Sequence, residues 1–188
     1  DLIGHFNTFE RRFYESKFLQ ALYLASTPFF RDTPFIIVMD EMNLSHPEQY
    51  FADMLSALEQ DKNRQRIILM TASVDPSPRL LSKNGKELRI PENVWFVGTA
   101  NHDETTKDFA DKTYDRAHVM ELPRHTESFV PSQRKLLLPI SLKALHNSFD
   151  SAIHKYQSET AKAYEFLHDN VGDILGQRFQ VGWGNRLE

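Results

Sequence analysis

The chain contains no cysteine, no apolar run that could span a membrane and no excess of positive charge. The absence of cysteine excludes a disulfide framework and any thiolate metal site. Because a membrane span needs about 18 apolar residues and the N-terminus lacks a secretory signal pattern, we expect no membrane partner and a cytoplasmic location. The formal net charge of -4 gives no global basic field, so any contact with nucleic acid would need a local patch or a separate domain.

A phosphate-binding loop (P-loop) is also absent from the sequence. Such a loop has the pattern G-x-x-x-x-G-K-[ST], and Gly85-Lys86 is the only Gly-Lys pair in the chain. Leu80 stands where the pattern needs its first glycine, and Glu87 stands where it needs serine or threonine. Asn84-Gly85 instead favours a type I′ hairpin turn. The chain alone is therefore predicted neither to bind a nucleoside triphosphate tightly nor to hydrolyse it.

The residues that are present predict an α/β fold. Continuous apolar runs at 35–39 and 94–99 are typical of parallel strands that are buried on both faces. Residues 16–26 and 46–60 have apolar side chains at helical spacing. Ser16 is the expected N-cap of the first helix, and Ser45 with Glu48 forms a capping box for the second. Further strands are expected at 66–71, in a hairpin at 80–90 and at 118–122.

The last third of the chain has a different pattern. Prolines and polar residues between 124 and 140 indicate a linker, and residues 141–169 have helical spacing. The sequence is therefore divided into a core portion at 1–123, the linker at 124–140 and a helical portion at 141–188.

The first predicted buried strand ends in two adjacent carboxylates, Asp40 and Glu41. A strand that ends in Asp-Glu can hold a magnesium nucleotide: the Asp lies near Mg²⁺, and the Glu orients or deprotonates the water that attacks the γ-phosphate. An ordinary solvated strand end explains the same pair equally well. The sequence on either side of Asp40 and Glu41 is therefore needed to choose between the two interpretations.

The flanking residues resemble the AAA+ nucleoside triphosphatases of the McrB-like kind. Phe35-Ile-Ile-Val-Met-Asp-Glu-Met-Asn-Leu44 and Tyr50-Phe-Ala-Asp-Met-Leu-Ser-Ala-Leu-Glu59 are similar to the family's Walker B block. Ile90-Pro-Glu-Asn-Val-Trp-Phe-Val-Gly-Thr-Ala-Asn101 resembles its sensor 1 strand, with Ala100 where the family usually has methionine. The resemblance covers residues 1 to 123. It implies a parallel sheet flanked by helices, which lacks the P-loop strand and helix and is followed by the start of a helical lid.

The resemblance also assigns roles to individual residues. It implies that Asp40 is the Mg²⁺ ligand, that Asp40 and Asn43 contact the nucleotide, and that Glu41 and Asn101 position the attacking water. We therefore expect Asp40, Glu41 and Asn101 to follow adjacent parallel strands at the same edge of the sheet.

Two arginines match further family motifs. Asp111-Lys-Thr-Tyr-Asp-Arg-Ala117 makes Arg116 the arginine finger, although the family often has consecutive arginines here; a salt bridge to Asp111 or Asp115 within the same subunit is the alternative. Arg186 matches the sensor 2 arginine of the lid, and a plain surface arginine is the alternative.

For the complete protein, the resemblance implies hydrolysis of ATP or GTP with Mg²⁺ in a ring, often a hexamer, with the P-loop upstream of Asp1. Such proteins commonly power DNA restriction or translocation with a nuclease partner, and DNA would then be bound through other domains. A MoxR-like ATPase that remodels proteins and a non-catalytic AAA+-shaped interaction module are the alternatives. The basic run of Lys62, Arg64 and Arg66 is either a solvated edge or a loop that contacts phosphates.

Overall fold

The computed structural model describes residues 2–73, 75–83, 85–101, 107–114, 116–122 and 138–180. It has a mixed α/β architecture with small parallel and antiparallel sheets and a long C-terminal helix. The chain divides into two compact units, Asp1–Leu142 and Lys143–Glu188. The elements are β1 Gly4–Asn7, β2 Arg12–Glu15, α1 Lys17–Ala25, β3 Phe35–Met39, α2 Pro47–Tyr50, α3 Ala52–Leu58, β4 Arg66–Ile68, β5 Leu81–Ser82, β6 Glu87–Arg89, β7 Val94–Gly98, α4 Asp111–Tyr114 and α5 Leu142–Phe166.

The two predicted buried strands form a parallel pair, β3 with β7, in the register Phe35↔Val94 to Met39↔Gly98. This confirms both strands but not their burial. Ile36 is 63% exposed and Val38 is 59% exposed, so the prediction that β3 is buried on both faces was wrong. The described residues cover one face of the pair, and the alternate side chains of the strand point away from that core.

Helix α1 is confirmed with its predicted cap. Ser16 has an extended backbone, and its hydroxyl accepts the amide of Leu19 at 3.1 Å, which satisfies one of the free donors at the helix start. The helix buries Leu22 completely, and burial of such a side chain stabilises the fold by roughly 2 kcal/mol. It also places Phe18 on Phe96 of β7, with ring centroids 5.9 Å apart.

The helix predicted at 46–60 is interrupted. Phe51 has φ of -109° and ψ of 7°, which separates α2 from α3. The expected capping box is wrong, because His46 is the N-cap and makes no capping side-chain hydrogen bond, while its ring pairs with Glu48 at 2.9 Å. Pro47 is at the start of the helix as predicted. The break lets the ring of Phe51 enter the core, where its centroid lies 5.8 Å from that of Phe96.

A three-stranded antiparallel sheet in the order β4-β6-β5 follows. The hairpin of β5 and β6 is confirmed, but its connection is longer than a two-residue type I′ turn. Ser82 pairs with Glu87, which leaves 83–86 as the loop, and the amide of Lys86 donates to the carbonyl of Ser82 at 3.1 Å. Gly85 supplies a positive φ of 86° in this loop; Asn84 lies outside the described residues.

The remaining elements include one that the sequence did not predict. Strands β1 and β2 form an antiparallel hairpin, and Asn7 stabilises its turn by accepting the amides of Phe9 and Glu10. The strand expected at 118–122 was wrong, because these residues have no regular structure and Met120 is 75% exposed.

In the C-terminal unit, helix α5 confirms the prediction at 141–169, and it continues into π-helical turns at Leu167–Gly172 and Leu175–Phe179. Most of the predicted linker, residues 124–137, lies outside the described residues. Among the helices that are described, none has both the length and the apolar character needed to cross a bilayer.

Candidate functional site

The carboxyl ends of β3 and β7 lie side by side, because the two strands are parallel and in register up to Met39 and Gly98. The hydrogen bonds between the two chain segments continue beyond the strands. The amide of Thr99 donates to the carbonyl of Met39 at 3.0 Å, and the amide of Met42 donates to the carbonyl of Thr99 at 2.9 Å. The loop that follows β3 is therefore held against the loop that follows β7. Asp40, Glu41 and Asn101 are in these two loops, at one edge of the parallel pair, as the sequence predicted.

Thr99 connects the two acidic residues, and sequence reasoning did not identify it as a site residue. Its hydroxyl donates to Oδ1 of Asp40 at 2.5 Å and accepts the backbone amide of Glu41 at 2.8 Å. One side chain thus fixes a carboxylate oxygen and the backbone of the neighbouring residue. The available signal was a hydroxyl residue directly after the end of the second strand.

Glu41 has a left-handed backbone conformation, with φ of 50° and ψ of 43°. This conformation costs a residue with a side chain roughly 1–2 kcal/mol, so the surrounding bonds must hold it. Thr99 makes one such bond, with the amide of Glu41. In another, the amide of Leu44 donates to the carbonyl of Glu41 at 3.0 Å, and this bond begins the 3₁₀ turn Met42–Leu44. Strained residues cluster at functional sites, and the carboxylate of Glu41 is exposed to solvent.

Asn43 is buried and spans both loops. Its Nδ2 donates to the carbonyl of Asn101 at 2.8 Å and to that of Lys107 at 3.3 Å, and its Oδ1 accepts the amide of Asn101 at 3.3 Å. Its backbone carbonyl also accepts the amide of Lys107 at 2.9 Å. Asn43 therefore positions the loop that contains Asn101. The nucleotide contact expected for Asn43 stays a prediction.

A second layer supports these loops from the side of α2. The hydroxyl of Tyr50 donates to the carbonyl of Met42 at 3.0 Å. Burial, together with the negative charge of Glu48, raises the pKa of Tyr50 above its usual value, so the hydroxyl keeps its proton for this bond. A Cβ at Gly98 would collide with the side chain of Met42, so the glycine lets the loop pack closely on the strand end.

Arg116 forms an ion pair inside the chain. Its guanidinium lies 2.6 Å from Oε1 of Glu59, and the two side chains are 19% and 27% exposed. Glu59 caps the C-terminal end of α3, so the pair fastens that helix to the segment after α4. The sequence had considered Asp111 or Asp115 as partners; Asp115, like Arg186 and the segment 181–188, lies outside the described residues. The arginine-finger role of Arg116 stays a prediction.

The donor set at the strand ends consists of two adjacent carboxylates, those of Asp40 and Glu41. Mg²⁺ prefers carboxylate and other hard oxygen ligands, and it usually uses one or two carboxylates together with phosphates and water. The described residues contain no group of three or more His, Asp or Glu that could hold a metal together. Asp40, with Glu41 beside it, is suited to an ion that shares its coordination with a nucleotide.

Comparison with known proteins finds no matching family model, no matching curated protein and no matching solved structure.

Proposed function

We propose that this chain is the Walker B and sensor 1 portion of an AAA+ nucleoside triphosphatase of the McrB-like kind, which hydrolyses ATP or GTP with Mg²⁺. One observation carries the proposal. Two adjacent parallel strands bring Asp40, Glu41 and Asn101 to the same edge, where Thr99 bonds to both acidic residues. Hydrolysis at a γ-phosphate needs a metal ligand, a group that orients water and a second polar group nearby, and this edge supplies all three.

Each residue has a distinct task in this proposal. Asp40 would hold Mg²⁺, and the ion would supply positive charge that neutralises the phosphates. The carboxylate of Glu41 accepts a hydrogen bond from the attacking water and takes its proton. Asn101 provides the second polar group beside that water, and Asn43 fixes the loop of Asn101 through its backbone.

The local geometry favours catalysis over a non-catalytic interaction module. A solvated strand end needs neither a left-handed Glu41 nor a hydroxyl that links it to Asp40. The hydroxyl of Thr99 fixes the carboxylate of Asp40 and the backbone of Glu41, and preorganised charge is what lowers a barrier. Because the sequence contains no P-loop, the proposal requires residues outside these 188 to hold the phosphates.

The test is Glu41→Gln in a form of the protein that includes a P-loop. Loss of the group that takes the proton should lower hydrolysis by about 10²-fold or more, and nucleotide binding should remain, because the amide keeps the shape of the side chain. Steady-state phosphate release and nucleotide titration measure the two properties. Glu159→Gln, an exposed change on α5, is the matched control and should leave both unchanged. Wild-type turnover by the Glu41→Gln protein would remove the proposal.

A further inference from the structure

Positive charge is concentrated in one segment of an otherwise acidic chain. Residues 60–90 contain seven Lys and Arg but three Asp and Glu. The rest of the chain contains 15 Lys and Arg and 23 Asp and Glu. The cations are Lys62, Arg64, Arg66, Arg79, Lys83, Lys86 and Arg89. The segment therefore has a net charge of about +4 inside a protein of -4, which is the local patch that contact with a polyanion needs.

The fold directs several of these cations to one face of the sheet β4-β6-β5. Ile67 and Leu88 are fully buried on the inner face, so their neighbours in the alternating pattern lie on the outer face. There Arg66 is directly opposite Arg89 in the register, and Arg89 is paired with Glu92 at 2.7 Å. Of the two arginines, Arg66 is the one that lines a groove on this face.

An open groove on this face has a volume of about 450 Å³. It is lined by Asn63, Arg64, Arg66, Ile68, Lys83 and Glu87. Glu87 is its one carboxylate: Oε1 lies 2.6 Å from Nζ of Lys83, and Oε2 lies 3.7 Å from a terminal nitrogen of Arg66.

The hydrogen bond from Lys83 lowers the pKa of Glu87, which is therefore ionised at neutral pH. The groove still has two positive charges in excess. Within the described part of the chain, Arg64 forms no ion pair.

We propose that this outer face binds the phosphate backbone of a nucleic acid without regard to sequence. Arg and Lys are the side chains that contact phosphate oxygens. The groove is open to solvent, so a polymeric ligand can reach its cations. Ile68 is the one apolar residue of the lining, so the groove offers no apolar face that could insert into a lipid surface. The inference goes beyond the proposed hydrolysis, because this binding needs neither nucleotide nor metal.

The first test is the double variant Arg64→Gln/Arg66→Gln, which leaves the pair of Lys83 and Glu87 intact. The probe is a fluorescein-labelled oligodeoxythymidylate, and its anisotropy is measured over a salt series. Loss of two phosphate contacts should weaken binding about 25-fold at about 0.1 M salt and reduce the slope of log K against log salt by about 1.4. Arg31→Gln/Arg178→Gln removes the same charge from exposed positions outside the groove and should bind like the unaltered chain.

The second test is Glu87→Gln, which is expected to strengthen binding of the oligonucleotide instead of weakening it. It removes the groove's carboxylate and releases Lys83, so binding should become several-fold tighter and the salt slope should rise by about 0.7. If these residues had a purely structural role, Glu87→Gln would weaken binding or leave it unchanged.

The proposal is overturned if the chain does not bind at low salt, if the Arg64/Arg66 variant keeps the control's salt slope, or if vesicles of phosphatidylserine bind more tightly than the oligonucleotide. The assay contains no nucleoside triphosphate, so its failure is distinct from failure of the proposed hydrolysis.

Discussion

At the residue scale, the site depends on the hydroxyl of Thr99. It bonds to the carboxylate of Asp40 and to the amide of Glu41, whose left-handed backbone needs an external partner. Both contacts are exposed, so water can replace them energetically but cannot fix the two groups in one arrangement. Thr99 is therefore a positioning residue, and its loss should affect catalysis more than stability.

Thr99→Val removes the hydroxyl and keeps the shape of the side chain. The free energy of unfolding, measured by urea denaturation, should fall by less than about 1 kcal/mol, because both hydrogen bonds are exposed and water can replace them. In a form that includes a P-loop, kcat should fall by about tenfold or more, because Asp40 and Glu41 lose their common partner. Thr99→Ser keeps the hydroxyl and should retain most of the activity. Equal kcat for the Val and Ser proteins would show that the hydroxyl has no positioning role.

Some residue positions of the site could be predicted from the sequence, whereas the contacts between them could not. The positions of Asp40, Glu41 and Asn101 followed from apolar runs that end in polar residues, because the carboxyl ends of parallel strands share one edge. The bonds of Thr99 and Asn43 join residues about 58 positions apart and leave no periodic pattern. Only the folded register of β3 and β7 brings these partners together.

At the element scale, strong apolar patterns predicted where elements form better than they predicted burial or continuity. The strands β3 and β7 and the helix α1 have strong apolar patterns and a matching cap, so local sequence determines them. The helix at 46–60 was interrupted because the core takes up the ring of Phe51, which is a tertiary effect. Three of the five residues at 118–122 are apolar, but no strand lies beside them in the described structure, and a strand forms only with a hydrogen-bonded neighbour.

Asn93 connects three elements in a way that no pattern predicted. It is buried, and its Nδ2 lies within hydrogen-bond distance of the carbonyls of Ala25, Phe30 and Thr33. It therefore fastens the end of α1 and the loop before β3 to the start of β7. Loss of this side chain would remove a donor from the buried carbonyl of Ala25 and from two part-buried carbonyls, and an unsatisfied group in the interior is costly.

Asn93→Ala should therefore lower the free energy of unfolding by about 3 kcal/mol, measured by urea denaturation with the slope of the transition monitored. The control is Asn170→Ala in the C-terminal unit, where the exposed amide makes one bond to the carbonyl of Phe166 and should contribute less than about 1 kcal/mol. If the two variants lose equal stability, the three contacts of Asn93 do not hold the elements together.

At the scale of the whole molecule, two roles are considered for Arg116: an ion pair within the chain and an arginine finger for a neighbouring subunit. Its one guanidinium cannot serve both at the same time. Within the chain it pairs with Glu59 at 2.6 Å, and such a partly exposed pair contributes about 1 kcal/mol. As a finger it would leave Glu59 and reach the nucleotide of a neighbouring subunit. A double-mutant cycle of Glu59→Gln and Arg116→Ala measures the first task, because two residues that act only as a pair give losses of stability that do not add.

Hydrolysis in mixed rings measures the second task. In a form that includes a P-loop, Arg116→Ala should lower turnover by about 10³-fold or more while nucleotide binding remains, since the guanidinium would stabilise charge that develops only in the transition state. Glu59→Gln should keep turnover, because it removes the partner and leaves the finger. Glu41→Gln should inactivate the site of its own subunit, whereas Arg116→Ala should inactivate the site of the neighbouring subunit. Mixing these two inactive proteins should restore part of the activity, because some interfaces then join an intact Glu41 to an intact Arg116 from the next subunit. Wild-type turnover by Arg116→Ala, or a mixture as inactive as its components, would leave the pair with Glu59 as the task of this arginine.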